Sequence, residues 1–228
     1  MTTLGRPRVH LRRTESTNNV ARDLAARGAV HGTMVTAEQQ TAGRGRQGRS
    51  WHAPPGDALL CSWVVRDPPP LLSLAAGAAV AELCGTQALI KWPNDVLLGG
   101  RKVAGILVEA RPAERWAVLG IGVNAAVALE DLPAEISGAA ATLGLGAADL
   151  QPALEQLCAA LGRWLAASGD QVLAAVRARD ALYGRPLRWA EGSGTGAGID
   201  AAGRLILAGD DGSRTVLDAG EVHIGGLA

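Results

Sequence analysis

Apolar runs of strand length recur along the chain, broken by short polar and glycine-rich interruptions. Residues 58–65, 103–109 and 116–123 read as buried strands, the first ended by Asp67 and three prolines. Shorter strands are expected near 9–11 and over 33–38. Residues 14–17, Thr-Glu-Ser-Thr, offer N-cap side chains, and 18–27 follows as an amphipathic helix stopped by Gly28. A small-residue helix is expected over 71–84, stopped by Gly85. Short strands over 88–91 and 96–98 flank Trp92-Pro93-Asn94-Asp95, and two helices cover 150–167 and 170–182. The pattern changes after Tyr183, where 186–189, 196–199, 205–207, 214–217 and 221–224 are short strands between glycine and aspartate turns. Such a series suggests a small barrel. The first portion lacks strict βαβ alternation, so an α+β layered fold is expected rather than a doubly wound sheet. The expected division is 1–182 and 183–228.

Composition narrows the picture. The 228 residues are 48% apolar, enough for a sizeable core, and the formal net charge is zero. No global basic field draws in nucleic acid. The three cysteines, Cys61, Cys84 and Cys158, are dispersed and lack a CxxC, as expected of reduced thiols in a cytoplasmic protein. The N-terminal stretch has no apolar signal core, and the longest apolar tract, 71–84, is too short to span a bilayer.

Against this neutral background one stretch stands out. In Gly43–Trp51, GRGRQGRSW, Arg44, Arg46 and Arg49 alternate with glycines. Three guanidinium groups so close repel one another and bury nothing. Glycine permits close backbone approach to a ligand, and arginine presents a fork suited to carboxylate and phosphate. The stretch reads as a mobile cationic loop that orders around a small anion. It approaches a P-loop, but arginine replaces the lysine and the residues after Ser50 cannot start a helix smoothly. It is also too brief and too embedded for an RNA-binding arginine–glycine tract. Of the 22 basic residues only Lys91 and Lys102 are lysine, both in one segment, where a compact titratable charge is needed. GSGTGAG at 192–198 has no helix after it and reads as a hairpin. The histidines show no metal-ligand spacing, and no Gly-x-Ser-x-Gly elbow occurs.

Ser16-Thr17-Asn18, Glu38-Gln39-Gln40, GRGRQGRSW, KWPNDV at 91–96, KVAGILVE at 102–109 and GIGVN at 120–124 follow one another in that order. With them the chain resembles the biotin–protein ligases, also called biotin–[acetyl-CoA-carboxylase] ligases, from about Thr14 onward. The resemblance implies a catalytic domain like that of class II aminoacyl-tRNA synthetases, followed by an SH3-like barrel. It implies formation of biotinyl-5′-AMP from biotin and ATP. Biotin then passes to a lysine of a biotin carboxyl carrier protein domain of a biotin-dependent carboxylase. Magnesium is implied by the triphosphate rather than by visible ligands.

The resemblance also implies roles for individual residues. Lys102 sits between carboxylate and phosphate as the main electrostatic catalyst, with Arg46 and Asp95 as further catalytic candidates. Ser16, Thr17, Asn18 and Gln40 face the ureido end of biotin. Gly43, Arg44, Gly45, Arg46, Lys102, Gly105 and Gly122 complete the biotin set, the last two glycines letting backbone lie flat against the ligand. Arg44, Arg46, Arg49, Trp51, Asn94, Lys102 and Asn124 form the ATP and adenylate set. Gln47 stands where some relatives carry arginine, which lowers the charge of the loop. Two rivals are weighed. Lipoate–protein ligase shares the expected fold, but lipoate has no ureido ring. A biotin-sensing repressor needs an added winged helix-turn-helix, for which the start of the motifs near Thr14 leaves no room, so DNA binding is not expected.

Overall fold

The computed structural model describes residues 4–209 and 211–225. The outermost residues of both expected units therefore lie outside the described residues. A seven-stranded sheet runs in the order β1 (Arg8–Thr14), β2 (Met34–Gln40), β3 (Ala58–Arg66), β7 (Trp116–Asn124), β6 (Arg101–Arg111), β5 (Asp95–Leu98), β4 (Leu89–Lys91). Only β1 and β2 are parallel, joined through helix α1 (Thr17–Ala26). The remaining pairs are antiparallel, so the sheet is mixed and the α+β expectation holds.

Strand β3 lies inside the sheet, between β2 and β7, and all of its residues but Arg66 are buried. Alternation divides its side chains between the two faces. Leu59, Cys61, Trp63 and Val65 enter the main core, under helices α2 (Leu72–Leu83), α4 (Leu150–Ala166) and α5 (Gly169–Ala178). Val64 joins Val35, Trp116 and Val118 beneath α1, where Ala21 and Ala25 close the layer. Leu60 packs with Trp51, Val127 and Leu132. Helix α2 is rich in alanine and glycine, which lets neighbours approach closely: Gly77 packs on Ile90 and Ile106. The guanidinium of Arg66 closes the end of α1, donating to the carbonyls of Ala25 and Ala29 at 2.7 Å each.

Residues after 185 form a second, antiparallel sheet in the order β11 (Arg214–Leu217), β10 (Leu205–Ala208), β9 (Gly192–Ile199), β8 (Pro186–Trp189), β12 (His223–Ile224). Its Leu187, Ile199, Leu205, Leu207 and Val222 belong to the same continuous core as α2, α4 and α5. Trp92 Nε1 donates to the carbonyl of Gly203 at 3.0 Å, and Arg177 Nε to that of Ile199 at 2.8 Å, binding the two sheets together.

Several boundaries differ from expectation. Helix α5 stops at Ala178 rather than 182, because residues 179–181 satisfy the open edge of β4. Ile90 N donates to Arg179 O at 2.7 Å, and Ala181 N to Ile90 O at 3.0 Å. GSGTGAG, expected as a hairpin, forms the larger part of β9, the middle strand, paired antiparallel on both sides with β8 and β10. Without Cβ atoms, Gly194 and Gly196 let the carbonyls of Ala208 and Leu182 approach. Strand β12 spans only His223 and Ile224. Residues 125–149, where the sequence suggests no element, hold short helical turns, including α3 (Ala134–Ser137).

The three cysteines are free, as expected of reduced thiols. Burial pushes all three thiols up, that of Cys84 to about 12, so they remain protonated and unreactive near neutral pH. No helix among the described residues is long and apolar enough to cross a membrane.

Gly162 lies exposed in the middle of α4 with no atom near its missing Cβ. Gly162→Ala should stabilise the fold by about 1 kcal/mol, the difference in helix propensity, as read by urea unfolding.

Candidate functional site

The site begins as a bare patch on one face of the seven-stranded sheet. Ladder register sets Ser62 beside Gly120 and Leu107, and Leu60 beside Gly122 and Gly105. Asp95 continues the second row next to Gly105, and Lys91 lies beyond Asp95. Three neighbouring glycines thus strip side chains from the face, and a pocket of about 130 Å³ stands over them.

Two groups descend into this hollow from opposite sides. The amide of Asn18 occupies the space over Gly120, where a Cβ would overlap its oxygen. The indole of Trp51 lies over the other two glycines: a Cβ on Gly122 would stand 2.6 Å from Cε2, and one on Gly105 would stand 3.0 Å from Cζ3. Gly105 and Gly122 were expected to receive a ligand directly; in this structure they bed Trp51.

At the α1 end, a polar network is almost wholly buried. Ser16, Thr17 and Asn18 are each no more than 4% exposed, and Ser62 is fully buried. Gln40 Oε1 accepts from the backbone N–H of Thr17 at 2.7 Å and lies 3.0 Å from its hydroxyl. Ser62 Oγ lies 2.8 Å from Thr17 Oγ1 and 2.6 Å from Asn18 Oδ1. This end therefore offers amides and hydroxyls whose directions are fixed by one another.

The other end is cationic. Lys102 Nζ lies 2.7 Å from Asp95 Oδ1 and 5.7 Å from the Trp51 ring centre. Asp95 Oδ1 is buried without a well-aligned hydrogen bond, so charge alone holds the pair. The backbone of Lys102 is anchored twice, donating to Ala139 O and accepting from Ala141 N, both at 2.8 Å. Lys91, half-buried nearby, has its ammonium pulled below the usual lysine value by burial. Lys102 and Arg49 act in the same direction, against Asp95 and Glu221.

Residues 43–51 fold as a small hairpin. Trp51 N donates to Gly43 O at 2.9 Å and Gly45 N to Arg49 O at 2.7 Å, around a turn over Arg46–Gly48. Gln47 takes a left-handed conformation, φ 54°, in this turn. Each arginine has a partner. Arg44 meets Glu109 at 3.0 Å, Arg46 donates to Asn94 Oδ1 at 3.1 Å, and Arg49 pairs with Glu221. The Asn94 amide is oriented by its own donation to Ile106 O at 3.0 Å. The mobile loop expected from glycine content is here closed on itself.

The structure gathers nearly every candidate around one pocket. Ser16, Thr17, Asn18, Gln40, Arg44, Gly45, Arg46, Arg49, Trp51, Asn94, Asp95, Lys102, Gly105 and Gly122 all line it. Two do not. Gly43 lies behind the hairpin, where its missing Cβ makes room for the Trp51 carbonyl. Asn124 is buried outside the pocket wall and donates to Ala141 O at 3.0 Å, holding the segment that anchors Lys102. Sequence reasoning missed Gly120, Ser62, Glu109 and Glu221. The spacing of Gly120 and Gly122 carried a signal, since residues two apart in a strand share a face.

A bare sheet floor with an amide-rich end and a cationic end has the shape and charge to receive a small ligand with an anionic group. The biotin/lipoate A/B protein ligase family model matches residues 10–125. The chain is 40% identical over 243 residues to the biotin--[acetyl-CoA-carboxylase] ligase of Paracoccus denitrificans, covering 95% of this chain and 100% of that one. It is 40% identical over 146 residues to the bifunctional ligase/repressor BirA of Bacillus subtilis, but spans only 45% of that protein's length. In fold it matches the biotin protein ligase from Aquifex aeolicus in complex with biotin and ATP. The TM-score is 0.79 and the identity 24%, over 96% of this chain and 100% of that chain. This chain belongs to the biotin/lipoate A/B protein ligase family.

Gly120→Ala should push Asn18 off Ser62 and Glu109, leaving buried polar groups unpaired. The expected loss is about 1–3 kcal/mol by urea unfolding. Gly138→Ala, in open space, should leave stability nearly unchanged.

Proposed function

We propose that this chain is a biotin–[acetyl-CoA-carboxylase] ligase. It would join biotin and ATP into biotinyl-5′-AMP, then transfer biotin to a lysine of a biotin carboxyl carrier protein domain. The observation that carries the reading is the convergence of Lys102 and three arginines on a glycine-floored pocket whose far end is a buried amide–hydroxyl network. Biotin has the matching halves, a polar ureido ring and a carboxylate separated by apolar carbon. The full-length relative from Paracoccus, named for this activity, supports the choice of substrate.

In the first step a carboxylate oxygen attacks the α-phosphorus, and the bond to pyrophosphate breaks. Two anions must meet, and Lys102 with the hairpin arginines supplies fixed positive charge where they do. Lys102 exchanges Asp95 for the ligand's oxygens. Arg46 and Asn94 already touch, so closure of the hairpin brings guanidinium and amide to the nucleotide together. Trp51 offers a face for adenine. In the second step the carrier amine attacks the biotinyl carbonyl carbon, AMP leaves, and Asp95 is placed to take the amine's proton. Enclosure by the hairpin protects the mixed anhydride from water.

Magnesium would arrive with the triphosphate. Among the described residues no three His, Cys, Asp or Glu side chains gather as metal ligands. The fold reading extends to a class II synthetase-like catalytic domain over 1–182 and an SH3-like barrel over 183–228, in a cytoplasmic enzyme.

Biotin-dependent exchange of pyrophosphate into ATP tests the reading. Exchange is expected with biotin and not with lipoate, which would leave the Asn18–Gln40 end without its polar partner. Exchange with lipoate alone would reverse the assignment. Lys102→Ala should lose roughly 10²–10³ in the rate of exchange, comparable to loss of one oxyanion donor. Arg46→Gly should release biotinyl-5′-AMP and label bystander lysines, as read by streptavidin blot.

A further inference from the structure

Glu109 lies on the same face of β6 as Gly105 and Leu107, just past the glycine floor, with its side chain 23% exposed. Its two oxygens face different parts of the molecule. Oε2 accepts from Asn18 Nδ2 at 2.7 Å, in the first turn of α1. Oε1 meets Arg44 Nη1 at 3.0 Å, in the hairpin. Arg44 Nη1 also donates to Asn19 Oδ1 at 3.1 Å, so the hairpin meets α1 directly at Asn19 and, through Glu109, at Asn18.

We propose that Glu109 is a positioning residue that couples filling of the pocket to seating of the glycine–arginine hairpin. This rests on the biotin reading above and names the link between its two ends. The chemistry of a carboxylate makes the link directional. It only accepts, so it turns the NH₂ of Asn18 toward itself and the amide oxygen toward Ser62. The Ser62 hydroxyl, 2.6 Å from that oxygen, must donate to it. A ligand bound at Asn18 therefore bears on the same carboxylate that holds Arg44. Glutamine does not replace it fully. A glutamine side chain has one accepting oxygen, one donating nitrogen and no charge, while Arg44 is a cation. Glu109→Gln loses the charge that faces Arg44, and it keeps both contacts only with the Asn18 amide turned over and the Ser62 hydroxyl donating to Thr17 instead.

The test reads the hairpin while measuring occupancy. Full-length protein is digested with trypsin, and cleavage after Arg46 and Arg49, sites that every variant keeps, is followed by mass spectrometry with and without biotin at a concentration shown by calorimetry to saturate each variant. In the wild type, biotin is expected to slow hairpin cleavage about tenfold or more, the scale of a charged hydrogen bond. In Glu109→Gln saturated with biotin, slowing should fall below about twofold. Arg44→Gln breaks the bridge from the hairpin side. It should lose protection equally, and the double variant should lose no more than either single one. Wild-type protection in saturated Glu109→Gln, or additive losses in the double variant, overturns the coupling. If the wild type binds no biotin in the calorimeter, the ligase reading itself falls, and this inference with it.

Discussion

The structure turns on the absence of three Cβ atoms. Gly105, Gly120 and Gly122 are ladder neighbours on one face of a sheet whose adjacent rows carry valine and leucine. Any side chain there would occupy the space now taken by the Asn18 amide or the Trp51 indole. The sheet gives up part of its apolar packing, and glycine weakens a strand. The deficit is confined to one corner. On the opposite face Ile106, Leu119, Ile121 and Val123 remain in the main core. The floor can thus be bare without the sheet being weak.

Around that floor the charges are arranged in advance. Lys102, Arg44 and Arg49 each face a carboxylate of the same chain, so a local cationic site exists within a molecule of zero net charge. These pairs are partly solvated, and such pairs contribute little, about 0–1 kcal/mol each. A ligand phosphate or carboxylate can therefore take the place of Asp95 at Lys102 and of Glu221 at Arg49 at small cost, while Glu109 keeps Arg44. The pairs keep like charges apart in its absence.

Much of this was legible in the sequence. The run over 58–65 gave an interior strand because its burial on both faces leaves an almost continuous apolar signature. The single polar break in that run, Ser62, held information that went unread. In a buried strand a serine needs a partner, and its partners lie 44 and 45 residues away in α1. Glu109 was invisible for the same reason, since its contacts with Arg44 and Asn18 cross three elements of the fold. The end of α5 was misplaced because local helix pattern continued where a sheet edge required backbone pairing. The hairpin's glycines predicted freedom, but not the rungs from Gly45 to Arg49 and from Trp51 to Gly43 that close it.

The C-terminal sheet might be taken for an appendage, given the change of pattern after Tyr183. Its packing argues otherwise. Leu187, Leu205 and Leu207 are buried in the same cluster as Leu157, Leu161 and Val176, without a break at the expected boundary. A shared core of this kind resists sliding, because packed side chains occupy discrete arrangements rather than a continuum. Gly220, Glu221 and Val222 reach the pocket from this sheet, and Glu221 meets Arg49 there. The second sheet therefore supplies one wall of the site at a fixed distance from the glycine floor. The hairpin therefore lies between the glycine floor and a wall of the second sheet, both seated on one core.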